Sequence, residues 1–112
     1  MLVNILQIIA AIGTVATGLV SVIAPKSVKG FTGLEAPGAR GITEIRAILG
    51  GVFVAVGVVP LIVGGETYLM LGITYFVVAA VRAVSMVVDK SIEQSNIISL
   101  IVEIVFGIIL VL

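Results

Sequence analysis

Charged and apolar positions fall in long blocks along this chain, not in the short periods of a water-soluble fold. Residues Leu2 to Ala24 carry no charge. As a helix rising about 1.5 Å per residue, this stretch reaches about 34 Å, enough for a bilayer core of about 30 Å. Pro25 ends it. A second apolar block runs from about Gly41 to Val63 and opens on Thr43, Glu44 and Arg46. Pro60 is expected to kink or fray its far end. Gly64-Gly65-Glu66 reads as a tight turn between antiparallel helices. The third block, about Thr67 to Val88, contains one charge, Arg82. A short charged link, Asp89 to Ser95, leads to the fourth and shortest block, Asn96 to Leu112, which contains Glu103. The pattern predicts an all-α membrane protein, an antiparallel bundle of four transmembrane helices (spans about 2–24, 41–63, 67–88 and 96–112) in one domain over residues 1–112. No internal repeat stands out.

The first block has no basic residue before it and exceeds the roughly 7–15 apolar residues of a signal peptide, so it reads as a retained span. Pro25 to Arg40 is the one long loop, broken by Gly30, Gly33, Pro37 and Gly38. Its Phe31 and Leu34, beside Lys26, Lys29 and Glu35, suit a segment lying on the membrane surface.

Inside the blocks, small and polar residues recur at helical spacing. Asn4, Gln7, Ala11, Thr14, Gly18 and Ser21 form one stripe. Tyr68, Gly72, Tyr75, Ala79, Arg82 and Met86 form another, and Asn96, Ser99, Glu103 and Gly107 a third. The second block carries two small faces, Glu44-Ala47-Gly51-Ala55 and Arg46-Gly50-Phe53-Gly57, as expected of a helix contacted from both sides. Helices in lipid associate through close packing and interhelical hydrogen bonds, so Gly18, Gly50, Gly51, Gly57, Gly72 and Gly107 are expected packing positions. Asn4, Gln7 and Ser99 would supply interhelical hydrogen bonds.

Composition narrows the chemistry. The 112 residues are 61% hydrophobic and 11% charged, against about 45–50% and about 25% in ordinary soluble domains. A soluble chain this short could not hide so much apolar surface. Six basic residues balance six acidic ones, leaving no cationic surplus for nucleic acid. There is no Cys, His or Trp, so the thiolate nucleophile, the soft-metal ligands and the commonest general base are missing. No catalytic residue, metal or cofactor is expected, and an enzyme is the least favoured class.

The placement of the charges carries the remaining information. Lys26, Lys29, Arg40 and Arg46 cluster around the first loop and Lys90 lies in the third, whereas the second loop and both ends have no Lys or Arg. The positive-inside rule puts loops one and three in the cytoplasm and both termini outside. The expected setting is a bacterial or archaeal cytoplasmic membrane. Four charges fall within spans: Glu44, Arg46, Arg82 and Glu103. Each costs roughly 2.5–3.5 kcal/mol at a helix centre, so such residues are rare and commonly functional. Antiparallel geometry gathers all four in the cytoplasmic half. Glu44 and Arg46 stand about 200° apart on their helix and cannot both face one axis. Two roles are open: a neutral ion-pair network that fixes helix register, or a polar pocket open to the cytoplasmic side. In the second, Glu44, Arg46, Tyr75, Arg82, Ser99 and Glu103 are the candidate ligand-binding residues, with Thr17, Ser21 and Ser85 at suitable levels.

The order Glu44-x-Arg46, Gly50-Gly51, Gly57, Arg82, Glu103 and Gly107 resembles the DUF4345 family, small bacterial four-helix membrane proteins of unknown function. The resemblance covers about residues 20–112 and points to Glu44, Arg46, Gly50, Gly51, Arg82 and Glu103. It implies no activity. Where the family carries Gly before the Arg of the third helix, this chain has Val81. Small multidrug transporters are similar in size only, since their membrane Glu is in the first helix and this first span has no acid. The leading expectation is a non-enzymatic bundle whose Glu/Arg pocket binds a small polar or amphipathic ligand or a lipid headgroup. Alternatives are a proton-coupled transporter acting as a homodimer and an accessory subunit docked on a membrane-protein partner.

Overall fold

The structure, a computed structural model, describes residues 1–35 and 38–112. Pro37, expected to break the first loop, lies outside the described residues, as does the side chain of Phe31. Helix α1 covers Leu2–Ile23 and is followed by a 3-10 turn, Pro25–Val28, and a single helical turn, α2, Lys29–Thr32. Helix α3 covers Ala39–Val63, α4 Glu66–Val88 and α5 Gln94–Val111. Among the described residues these four long helices are the ones apolar enough to cross a membrane, and no strand occurs.

The chain turns where the backbone is free to do so. Gly64 and Gly65 hold φ of 68° and 54°, a region in which a Cβ would clash, and together they reverse the chain between α3 and α4. The α4–α5 link is built differently. Ser91 N–H donates to the Met86 carbonyl at 3.0 Å, while Lys90, at φ 53°, occupies the left-handed position that closes such a helix end. Helix α3 is not uniform. Ile45–Gly50 is wound as a π-helix between regular stretches Ala39–Glu44 and Gly51–Val63. It runs on past Pro60, which is buried.

Helix pairing follows the small residues. A Cβ at Gly18 would lie 2.6 Å from the Val54 backbone nitrogen, and one at Gly50 would lie 3.1 Å from the Gly18 carbonyl oxygen. The backbones of α1 and α3 therefore cross in direct contact. Gly57 faces Ala11 and Val15 further along, which makes the pair antiparallel. Gly72 meets Leu110 and Val111, and Gly107 meets Phe76, so α4 and α5 pack antiparallel in the same manner. The two pairs join through Ala10, Ala11, Leu71 and Leu110. Gln7 Nε2 donates to the carbonyls of Ile109 and Leu110 at 3.1 and 3.3 Å, tying α1 to α5. Asn4 is exposed. Between α3 and α4 a crevice of about 190 Å³ remains, lined by Ala55, Val59, Pro60 and Met70 among others.

Gly51 has nothing within 4 Å of its would-be Cβ. Gly50 occupies the seam with α1, and the next residue points about 100° away from it. The second small face of this helix, Ala47 and Gly51, is therefore exposed and not packed inside the chain. The first loop folds under the bundle: Val28 is fully buried, and α2 lies against α5. Leu34 is exposed.

The interior is unlike that of a soluble protein. Buried positions include Ala10, Ala11, Thr14, Ser21 and Glu103, while Ile8, Ile9, Ile12, Val77, Val81, Val84, Ile101 and Val105 are exposed. Small and polar inside, large and apolar outside is the arrangement expected when the surroundings are as apolar as the side chains.

Candidate functional site

The polar centre of the molecule is built by α4 and α5 near the end where they are joined. Arg82 stands six residues before the end of α4. Its Nε donates to Glu103 Oε1 and its Nη2 to Glu103 Oε2, both at 2.8 Å. Its Nη1 donates to Asn96 Oδ1 at 2.9 Å. Asn96 and Glu103 are seven residues apart, two helical turns on one face of α5, so one guanidinium spans both. Asn96 Nδ2 donates in turn to the Ser91 carbonyl at 2.8 Å, fastening the inter-helix turn to the cluster. Antiparallel packing through Gly72 and Gly107 brings these residues to one level.

The carboxylate is buried, at 10% side-chain exposure, and the guanidinium half-buried, at 28%. A two-bond Arg–carboxylate fork is the strongest form of ion pair and offsets much of the cost of removing both charges from water. Glu103 uses both oxygens in it. Arg82 has five N–H donors, of which three are engaged among the described residues. The other two belong to a side chain that lines a groove of about 400 Å³, with Val78, Val81, Ser85, Ser91 and Asn96. The site is therefore neutral overall and rich in donors. It suits an acceptor-rich group more than a free cation.

The other candidate residues are placed elsewhere. Glu44 pairs with Arg40 one turn earlier on α3, in an exposed pair. Arg46 is exposed and makes no ion pair among the described residues. The four span charges thus divide: Arg82 and Glu103 meet, while Glu44 and Arg46 stay on the outside of α3. Arg46 lies within the π-helical turns Ile45–Gly50, whose wider winding departs from the 100° per residue of a regular helix.

Tyr75 lies nearer the bundle centre. Thr14 Oγ1 donates to the Ala10 carbonyl at 2.9 Å, which leaves Tyr75 as the donor in its 2.5 Å bond to Thr14 Oγ1. The Tyr75 ring meets Phe106 edge-on, centroids 5.5 Å apart. Tyr75 therefore joins α4 to α1. Thr17 and Ser21 donate to the carbonyls of Gly13 and Thr17 on their own helix. Ser99 is half-buried, and Ser85 lines the groove beside Arg82. Asn96 and Ser91 are the cluster members not singled out as site residues from sequence. Asn96 shares the α5 stripe with Glu103, which was the available signal. Ser91 enters through its backbone, for which sequence holds no sign. Among the described residues no three acidic side chains converge as metal ligands would.

Comparison with known proteins adds one finding. No curated protein and no solved structure matches the chain. The family described as "Domain of unknown function (DUF4345)" matches residues 2–112. That match takes in α1 as well as the three helices that carry the charged positions, and the chain belongs to the DUF4345 family.

Proposed function

We propose that this protein spans a cytoplasmic membrane four times and binds a polar, acceptor-rich group, such as a phosphate or carboxylate, at the Arg82–Asn96 groove. The observation that carries this reading is the division of Arg82's donors. Glu103 and Asn96 orient the guanidinium with three bonds, and two further N–H groups belong to a side chain that lines the groove. Ser85 and Ser91 line the same groove. A guanidinium fixed by three bonds is pre-organised, so little freedom is lost when a ligand arrives.

Binding is favoured over proton-coupled transport by the state of Glu103. A proton-exchanging acid must shed its counter-ion during the cycle, and here both carboxylate oxygens are taken by one guanidinium. The depth is also suitable. Helix α4 has 23 residues, about 35 Å, so Arg82 sits about 9 Å from its end and within snorkelling reach of the headgroup layer.

The test is titration of glycerol phosphate into the detergent-solubilised protein, followed by thermal unfolding. Stabilisation of the wild type that disappears in Arg82→Gln supports the site. Equal shifts in both proteins remove it.

A further inference from the structure

We infer that the ligand of this groove is a phosphate-bearing membrane lipid, with its head on Arg82 and Asn96 and an acyl chain lying along the outer face of α4. This rests on the binding reading above and names its ligand. The groove does not end at Arg82. A second depression, of about 730 Å³, lies further along α4 and is lined by Met70, Ile73, Thr74, Val77 and Val78 among others. Val77 and Val78 also line the first groove, so the two form one furrow.

The furrow is apolar between Leu69 and Val81, with a guanidinium at one end and Glu66 and Thr67 at the other. Arg82, Ser85 and Asn96 stand at the guanidinium end. Beyond them Ile73, Val77 and Val81 expose apolar side chains. Thr74 breaks that wall only nominally, because its hydroxyl donates to the Met70 carbonyl at 2.9 Å. From Met70 to Arg82 is twelve helical residues, about 18 Å, close to the thickness of one leaflet of a core about 30 Å across. A free anion would gain nothing from the apolar length. Glu103 weakens the pull on either phosphate alike, so the apolar length is what separates the two ligands. A lipid gains from both ends at once: hydrogen bonds at the head and chain contact along the valines.

The test uses the whole protein in dodecyl maltoside micelles, which contain no phosphate to compete. The micelles are doped with one of two probes carrying the same acyl-chain diazirine, a phosphatidylglycerol or a diacylglycerol that lacks the phosphate. After photolysis, labelled residues are mapped by mass spectrometry. The phosphatidylglycerol probe is expected to label Met70–Val78 at least about threefold over the exposed Ile101 and Val105 of α5, an excess that corresponds to a modest difference in affinity. The diacylglycerol probe labels both faces alike, and Arg82→Gln abolishes the excess. Equal labelling by the two probes, or an excess that survives Arg82→Gln, overturns the lipid assignment. If Arg82→Gln does not fold, Val81→Phe blocks the furrow while leaving the Arg82–Glu103 fork in place, and the same loss is required of it. The two readings fail separately. Arg82-dependent stabilisation by glycerol phosphate without preferential lipid labelling removes the lipid and leaves the polar site, whereas absence of both removes the site itself.

Discussion

Arg82 and Glu103 face each other across α4 and α5 in a parallel fork, two bonds of 2.8 Å each, with the carboxylate buried and the guanidinium also held by Asn96. A pair of this kind is costly to break from one side and cheap to remove whole. Taking away one partner leaves an uncompensated charge in a poorly solvating place, typically about 3–5 kcal/mol. Glu103→Leu alone should therefore destabilise the folded protein by about that amount. Arg82→Leu combined with Glu103→Leu should recover most of the loss or surpass the wild type, since well-packed apolar replacements of buried pairs are often neutral or stabilising. Unfolding of the three variants in a graded denaturing detergent checks the order.

The α1–α3 crossing yields a contrast between neighbours. A Cβ at Gly18 would stand 2.6 Å from a backbone nitrogen of α3, whereas one at Gly51 would meet nothing. Gly18→Ala should cost about 1–3 kcal/mol through forced separation of the helices. Gly51→Ala should be neutral or slightly stabilising in the monomer, because alanine is the better helix former. Thermal unfolding of both variants decides it.

Which parts of this architecture could be read in advance has a physical explanation. The four long helices could be placed because lipid demands long apolar runs, and Pro25 and Gly64-Gly65 mark two of their ends. The stripes through Gly18, Gly57, Gly72 and Gly107 pointed to the seams because close helix contact requires small residues. Position along a helix gives depth directly, so Arg82 and Glu103 stood out as charges at matching levels. Rotation about the helix is read less well. Nothing in Ile45–Gly50 announces π-helical winding, and that local geometry governs where Arg46 faces. The Arg40–Glu44 pair has the ordinary four-residue spacing, yet Arg40 sat in the expected loop, because the start of α3 at Ala39 has no capping residue to mark it.

The bond between Tyr75 and Thr14 should be measurable but modest. Hydrogen bonds between helices in lipid average about 0.6 kcal/mol and reach about 1.7, because the alternative partners are never far away. Tyr75→Phe and Thr14→Val, taken singly and together in a double-mutant cycle, should give a coupling within that range. A coupling of zero would mean the two hydroxyls do not depend on each other.

Lys90 closes α4 in the left-handed conformation, with φ 53°. For a residue with a Cβ this costs roughly 1–2 kcal/mol, and Gly is the usual occupant. Lys90→Gly should raise stability by up to about 1 kcal/mol after the loss of chain entropy, without disturbing the Asn96–Ser91 bond. A rise in Tm with unchanged glycerol phosphate binding is the expected result.

The central claim is that Arg82 binds an acceptor group through the N–H donors that Glu103 and Asn96 do not engage, and not merely that the pair locks helix register. Glu103→Gln separates the two. The amide keeps an oxygen to accept from the guanidinium but removes the negative charge beside the groove. At a few ångströms and high dielectric that charge opposes an anion by about 1 kcal/mol, roughly fivefold in affinity. Isothermal titration of glycerol phosphate into wild-type and Glu103→Gln protein should therefore show binding strengthened about fivefold in the variant. Binding that is weakened in Glu103→Gln, or absent from both proteins, would contradict the account.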